Sequence, residues 1–180
     1  MGLIVPSLEE IALGRRGMLA GIKATVDTKC LVSAVTLMFA SVDALAALTR
    51  PIGQQDTSGQ DFMTWAERYL IKVSGLKLKC DKEDLWGARC GILHTYGHES
   101  RYRRQGKANP LFYEWQAGPK ADSYVTLPSG AIVLTVETFH KAVIDGILQF
   151  VEDYQKDPET DRRVKHHLQD LLCYVACSPI

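Results

Sequence analysis

The fold class this sequence predicts is a mainly helical bundle with a small antiparallel sheet set before its C-terminal helices, and three observations carry that reading. Apolar residues recur at helical spacing through the first half of the chain, alternate in strand fashion near 110–136, and return to helical spacing afterwards. A chain of 180 residues with 46% hydrophobic content can fill one core and is short for two ordinary domains. Residues 1–180 therefore read as one domain, with a β insertion near 110–136.

The elements follow in order. Leu8–Ala24 reads as helix, weakened by Gly14, Gly17 and Gly21, and can run on into the next helix. There Leu31, Val35, Met38, Val42 and Leu45 form an apolar stripe that Pro51 and Gly53 end, and Val32, Phe39 and Ala46 widen it into the central helix of the bundle. After a polar loop from Gln54 to Gly59, Phe62, Ala66, Tyr69, Leu70 and Val73 mark a third helix, with Ser58 or Asp61 to cap it. A fourth begins near Asp81, whose carboxylate can accept orphan N–H bonds while Glu83 and Asp84 suit the positive end of the helix dipole; it runs through Leu85, Ala88, Ile92 and Tyr96. Leu111, Tyr113 and Trp115 alternate with Phe112 and Glu114, and YVTL, PSG and AIVLTV spell a hairpin with Gly130 free to take positive φ, so a hairpin or three-stranded antiparallel sheet is expected. Phe139, Val143, Ile147, Phe150 and Tyr154 restore helical spacing. Asp157 with Pro158 opens a last helix whose Val164, Leu168, Leu171 and Val175 face inward.

Composition narrows the function classes. Twenty-one basic residues balance 21 acidic ones, so a nucleic-acid partner would need a local basic patch. Five cysteines, an odd number without framework spacing, suit free thiols in a reducing, cytoplasmic compartment. The start MGLIVPSLEE lacks the pattern of a signal peptide. Cys30–Leu48 is the most apolar stretch, but Ser33, Thr36, Ser41 and Asp43 interrupt it, and it reads as a core helix with no membrane partner.

The residues with chemical promise sit on the fourth helix. Arg89 and His94 are separated by Cys90, Gly91, Ile92 and Leu93, and Thr95 and Tyr96 follow. An imidazole exchanges protons near neutral pH and a guanidinium holds a phosphate with two parallel hydrogen bonds, a pair that can cleave RNA without metal. Tyr96 can add a hydrogen bond. On a helix turning ~100° per residue, Arg89 and Tyr96 lie within about 20° of each other and His94 roughly 140° away from Arg89. A two-fold dimer packed through the small residues Gly87, Cys90 and Gly91 would bring the two side chains into one cleft. The opposite reading pairs Arg89 with Asp84 or Glu83 and makes His94 an interface residue.

The segment DLWGARCGILHTY resembles the signature of the HEPN superfamily, in which an arginine and, a few residues later, a histidine sit on a late helix of a four-helix bundle. The helices ending in VDALAAL and containing DFMTWAERYL are similar to those that precede the motif in that family. The resemblance covers residues 26–96. It implies a metal-independent endoribonuclease, in a homodimer, of the kind found in toxin–antitoxin and antiphage systems, with Arg89, His94 and Tyr96 as catalytic residues and no cofactor. The His-x-Tyr form is similar to toxins paired with minimal nucleotidyltransferases, so the partners it implies are RNA and a cognate antitoxin or nucleotidyltransferase. Cys90 departs from the polar residue usual after the arginine in active members, and the family also has noncatalytic binding and scaffolding members.

Arg101, Tyr102, Arg103, Arg104 and Lys107 follow the motif and can guide an RNA backbone. Arg162 and His167 repeat the Arg-to-His spacing in a polar stretch and serve as a decoy. His166, His167, Cys173 and Cys177 come near a metal pattern, but adjacent histidines point apart and the cysteines lie in an apolar run, so no metal is expected.

Overall fold

A computed structural model of the chain describes residues 3–73, 78–115, 126–171 and 174–175. The weak first helix divides in two: α1, Leu8–Leu13, and α2, Met18–Asp27. A Cβ at Gly14 would lie 2.3 Å from the Glu10 carbonyl oxygen, and one at Gly17 2.5 Å from that of Ile11, so the turn between the two helices needs both glycines. Ser7 and Glu10 close a capping box on α1. Gly21 is merely unused space, with Leu37 Cδ1 4.0 Å from the missing Cβ. Gly21→Ala is expected to stabilise the protein by up to about 1 kcal/mol in denaturant unfolding, by helix propensity alone.

The long helix α3, Leu31–Leu48, is the central helix, its length and apolar composition fit to cross a membrane but half of it buried inside this protein. Ala34, Val35, Met38, Phe39, Val42, Leu45, Ala46 and Leu48 are buried. Ser58 caps α4, Gly59–Ala66, in a box with Asp61, and the same helix continues as a π-helical stretch, Glu67–Lys72. Ser58→Ala is expected to cost about 1 kcal/mol, read from the same unfolding curves. Asp81 caps α5, Lys82–Thr95, again in a box, with Asp84. A short helix α6, Arg101–Arg104, follows.

The sheet departs from expectation. β2, Leu111–Glu114, and β3, Ile132–Thr135, pair in parallel, with Leu111 opposite Ile132 and Tyr113 opposite Leu134. Part of the predicted partner strand YVTL lies outside the described residues, and Thr126 and Leu127 are not strand. Pro128–Gly130 does turn, with Gly130 at φ 75° and Ala131 N–H donating to the Pro128 carbonyl, but the turn only leads into β3. Residues 115–131 are long enough for the crossover a parallel pair requires. The register is set by burial: Leu111 and Leu134 are buried, while Val133 on the alternate face is exposed. An antiparallel pair does occur elsewhere, Leu3–Ile4 (β1) with Tyr174–Val175 (β4).

β3 runs straight into α7, Val136–Asp153, whose Phe139 meets Phe39 at 5.1 Å between ring centres and whose Phe150 meets Trp65 at 5.7 Å. Gly146 lets α7 close on the Tyr69 carbonyl, 2.8 Å from where a Cβ would stand. Asp157 caps α8, Pro158–His167, as expected. The last helix is shorter than the periodicity suggests: it tightens to a 3-10 turn at Leu168–Asp170, and Val175 is in β4.

Candidate functional site

Asp43 is the one charged residue in α3, and a carboxylate in an apolar helix needs a partner. Arg89 of α5 supplies it, Nε and Nη2 donating to the two carboxylate oxygens at 3.1 and 2.5 Å. The side chains are 17% and 25% exposed. Burial works against the guanidinium charge, and the Asp43 hydrogen bonds and charge outweigh it, holding the Arg89 pKa above the usual arginine value. Asp84 and Glu83, the partners read from sequence, are not used. They stand five and six residues before Arg89, roughly 140° and 120° around the helix. Asp84 instead accepts from the Asp81 and Asn109 backbone N–H groups at 3.2 and 2.6 Å.

The other face of the guanidinium environment is Trp86, whose ring centre lies 5.1 Å from Arg89 Cζ and 5.4 Å from the Phe62 ring. Gly59 makes room for that indole: a Cβ there would stand 2.7 Å from Trp86 Cε2. Trp86 also lines a groove of about 440 Å³ together with Cys90, His94, Glu99, Arg101, Tyr102 and Arg104. His94 is exposed there, in the last turn of α5.

Tyr96 does not join it. The helix ends at Thr95, and Tyr96 takes φ 52°, capping α5 in the left-handed region. The helical angle that placed Tyr96 beside Arg89 therefore does not apply. Tyr96 is 70% exposed and borders a separate, apolar groove of about 240 Å³ with Leu31, Val35, Ile92, His98 and Phe112.

The left-handed turn sends the chain back along α5. A Cβ on Gly91 would lie 2.3 Å from the Gly97 carbonyl oxygen, and one on Gly87 2.9 Å from Ala108 Cβ. Both glycines are buried against their own chain, so they are not the dimer surface that sequence suggested. Their small size admits residues 97–99 and 108 instead.

Of the four basic residues expected to meet RNA, Arg101 and Arg104 line the groove, and neither has an ion-pair partner among the described residues. Arg103 is ion-paired with Glu99, and Lys107 Nζ sits 5.6 Å from the centre of the Tyr102 ring. The decoy is structural: Arg162 pairs with Glu159 at 2.9 Å, and buried His167 places Nδ1 3.3 Å from Asp170, which also binds Arg50 at 3.0 Å. Cys173 and Cys177 lie outside the described residues. Among those described, no group of three or more His, Cys, Asp or Glu could hold a metal ion.

The described thiols, Cys30, Cys80 and Cys90, are free. Burial pushes Cys80 up to about 12, with Asp84 and Asp81 adding to it, so its thiolate is absent at pH 8. Alkylation mapped by peptide mass is expected to label exposed Cys30 rapidly and Cys80 only on unfolding. Rapid native labelling of Cys80 would contradict its burial.

Sequence reasoning missed Asp43, Trp86 and Glu99. A lone acid in an apolar stripe was the signal for the first; the other two carry none, because only the reversal after Tyr96 and the approach of α4 give them their places. Comparison with family models, with curated proteins and with solved structures finds no match to this chain. Fold and site together define a mainly helical protein with an aromatic, arginine-bearing groove at the end of α5 and an exposed histidine in its wall.

Proposed function

We propose that this protein is a metal-independent endoribonuclease of HEPN type, acting in the cytoplasm as a toxin or antiphage component. The observation that supports it is the sharing of one groove by His94, Arg101 and Arg104, two cations with no carboxylate partner among the described residues beside a group able to transfer protons. In this reading a 2′-hydroxyl attacks the adjacent phosphorus, His94 takes part in the proton transfer, and arginine stabilises the charge gathering on the phosphorus oxygens. Arg89 is not among the residues lining this groove: Asp43 engages two of its five N–H groups and holds it against Trp86, which does line it, so in this reading Arg101 and Arg104 meet the phosphate and Arg89 acts through Trp86. A homodimer and a nucleotidyltransferase antitoxin are the partners implied by the resemblance. The exposure of Tyr96 makes it accessible to such an antitoxin.

A noncatalytic RNA-binding module is the second reading. It is favoured by the same Arg89–Asp43 pair, which occupies the bidentate edge of the guanidinium, and by Cys90 beside it.

The test is cleavage of single-stranded RNA in excess EDTA. The enzyme should leave a 2′,3′-cyclic phosphate or its hydrolysed form, spare DNA, and lose about 10²-fold or more in rate on His94→Ala. Arg162→Ala should cut normally. Cleavage that survives His94→Ala removes this mechanism. RNA binding that needs Arg101 and Arg104, with no cleavage by the wild type, establishes the binding module.

A further inference from the structure

A single imidazole cannot be both the neutral base that accepts the 2′-hydroxyl proton and the protonated acid that supplies the leaving oxygen in one step. The groove holds one carboxylate among its described lining residues, that of Glu99. We propose that Glu99 is the general base and His94 the general acid of the RNA cleavage put forward above, on which this inference rests.

The backbone builds this pairing. Tyr96 reverses the chain at positive φ, the missing Cβ of Gly91 admits the returning loop, and the Glu99 carbonyl oxygen comes within 3.1 Å of where that Cβ would be. Buried Ser100 then caps α6, accepting from Arg103 N–H at 3.2 Å, which fixes the chain on the other side of Glu99. The Glu99 backbone is therefore returned to α5 at Gly91, and Glu99 and His94 line one groove. The Glu99 side chain is 48% exposed, open to a ligand in the groove.

Charged groups surround Glu99 on both sides. Arg103 of α6 is ion-paired with it, and His98 Nε2 is 3.7 Å away. Arg101, Arg104 and, from α5, His94 and Cys90 share the groove. Arg103, 19% exposed against 48% for Glu99, sets a cation beside the carboxylate and holds it in place.

The step balances. The 2′-O–H proton passes to Glu99 as the 2′-oxygen bonds to phosphorus; the bond from phosphorus to the 5′-oxygen breaks, and that oxygen takes a proton from the His94 imidazolium. Products are a 2′,3′-cyclic phosphate and a free 5′-hydroxyl, and the reverse proton assignments serve hydrolysis of the cyclic phosphate.

The test is kcat/KM against pH for cleavage of a short single-stranded oligoribonucleotide in EDTA, with wild type, Glu99→Gln, Glu99→Asp, Arg103→Ala and His94→Ala, each checked for native helicity. Wild type should give a bell: the acid limb rises as the base ionises and the alkaline limb falls as the acid loses its proton. Glu99→Gln should lose about a hundredfold at the optimum, keep KM, and lack the acid limb, while Glu99→Asp recovers part of the rate and the limb. Arg103→Ala should move the acid limb to higher pH, because a cation beside the base has been removed. A Glu99→Gln protein that keeps the acid limb and about the wild-type rate, while His94→Ala is inactive, overturns this assignment and leaves the ribonuclease reading standing. A wild type that cuts no RNA overturns both.

Discussion

Asp43→Ala is expected to destabilise the protein by about 3 kcal/mol, the low end of what a broken buried ion pair costs, because both side chains keep some contact with water. The loss comes from Arg89. With its carboxylate gone, a guanidinium only 17% exposed and stacked over Trp86 is left partly desolvated between α3 and α5. The double variant Asp43→Leu with Arg89→Met removes both charges and should recover most of the stability, since the buried pair itself is worth little against an apolar replacement of similar volume. Denaturant unfolding of the wild type, Asp43→Leu, Arg89→Met and the double variant measures the cycle. An Asp43→Ala cost below about 0.5 kcal/mol would mean that the pair is solvated and that Arg89 is free to bind a ligand with its whole edge. Cleavage assays on the same proteins separate holding from chemistry: in the proposed enzyme Asp43→Ala lowers the rate through a misplaced Arg89.

Gly91→Leu is expected to cost roughly 3 kcal/mol or more, because the Gly97 carbonyl oxygen stands 2.3 Å from the Cβ position and the obstacle is backbone. To make room, the reversal after Tyr96 must lift off α5, taking Glu99 and the cap residue Ser100 with it, so the groove and α6 should be lost together. Unfolding and hydrogen exchange at residues 97–104 read this out. A variant with normal monomer stability but a reduced solution mass would instead return Gly91 to a subunit interface. The contrast with Gly21→Ala is instructive, for there the nearest atom is a leucine methyl at 4.0 Å and the same addition should help.

How much was legible in the sequence differs from element to element. The apolar stripe of α3, the Ser58 and Asp81 caps, and Asp157 with Pro158 at α8 all stand where periodicity and capping chemistry put them. These signals are local: each depends on residues within a turn or two, and the chain carries them wherever it goes. His94, Arg101 and Arg104 are likewise neighbours in sequence, and their grouping in one groove needed only the end of α5 and a short turn. The partner of Arg89, the parallel pairing of β2 with β3, the separation of Tyr96 from His94, and the use of Gly87 and Gly91 inside the chain are of another kind. Each depends on which of several possible surfaces meets another from far along the chain. Asp43 is 46 residues from Arg89, and the hairpin signal around Pro128–Gly130 lost to a more distant strand that buries Leu111 and Leu134 on the same side. Local pattern decides what an element is; burial of its apolar face, settled only when all the elements pack, decides what it touches.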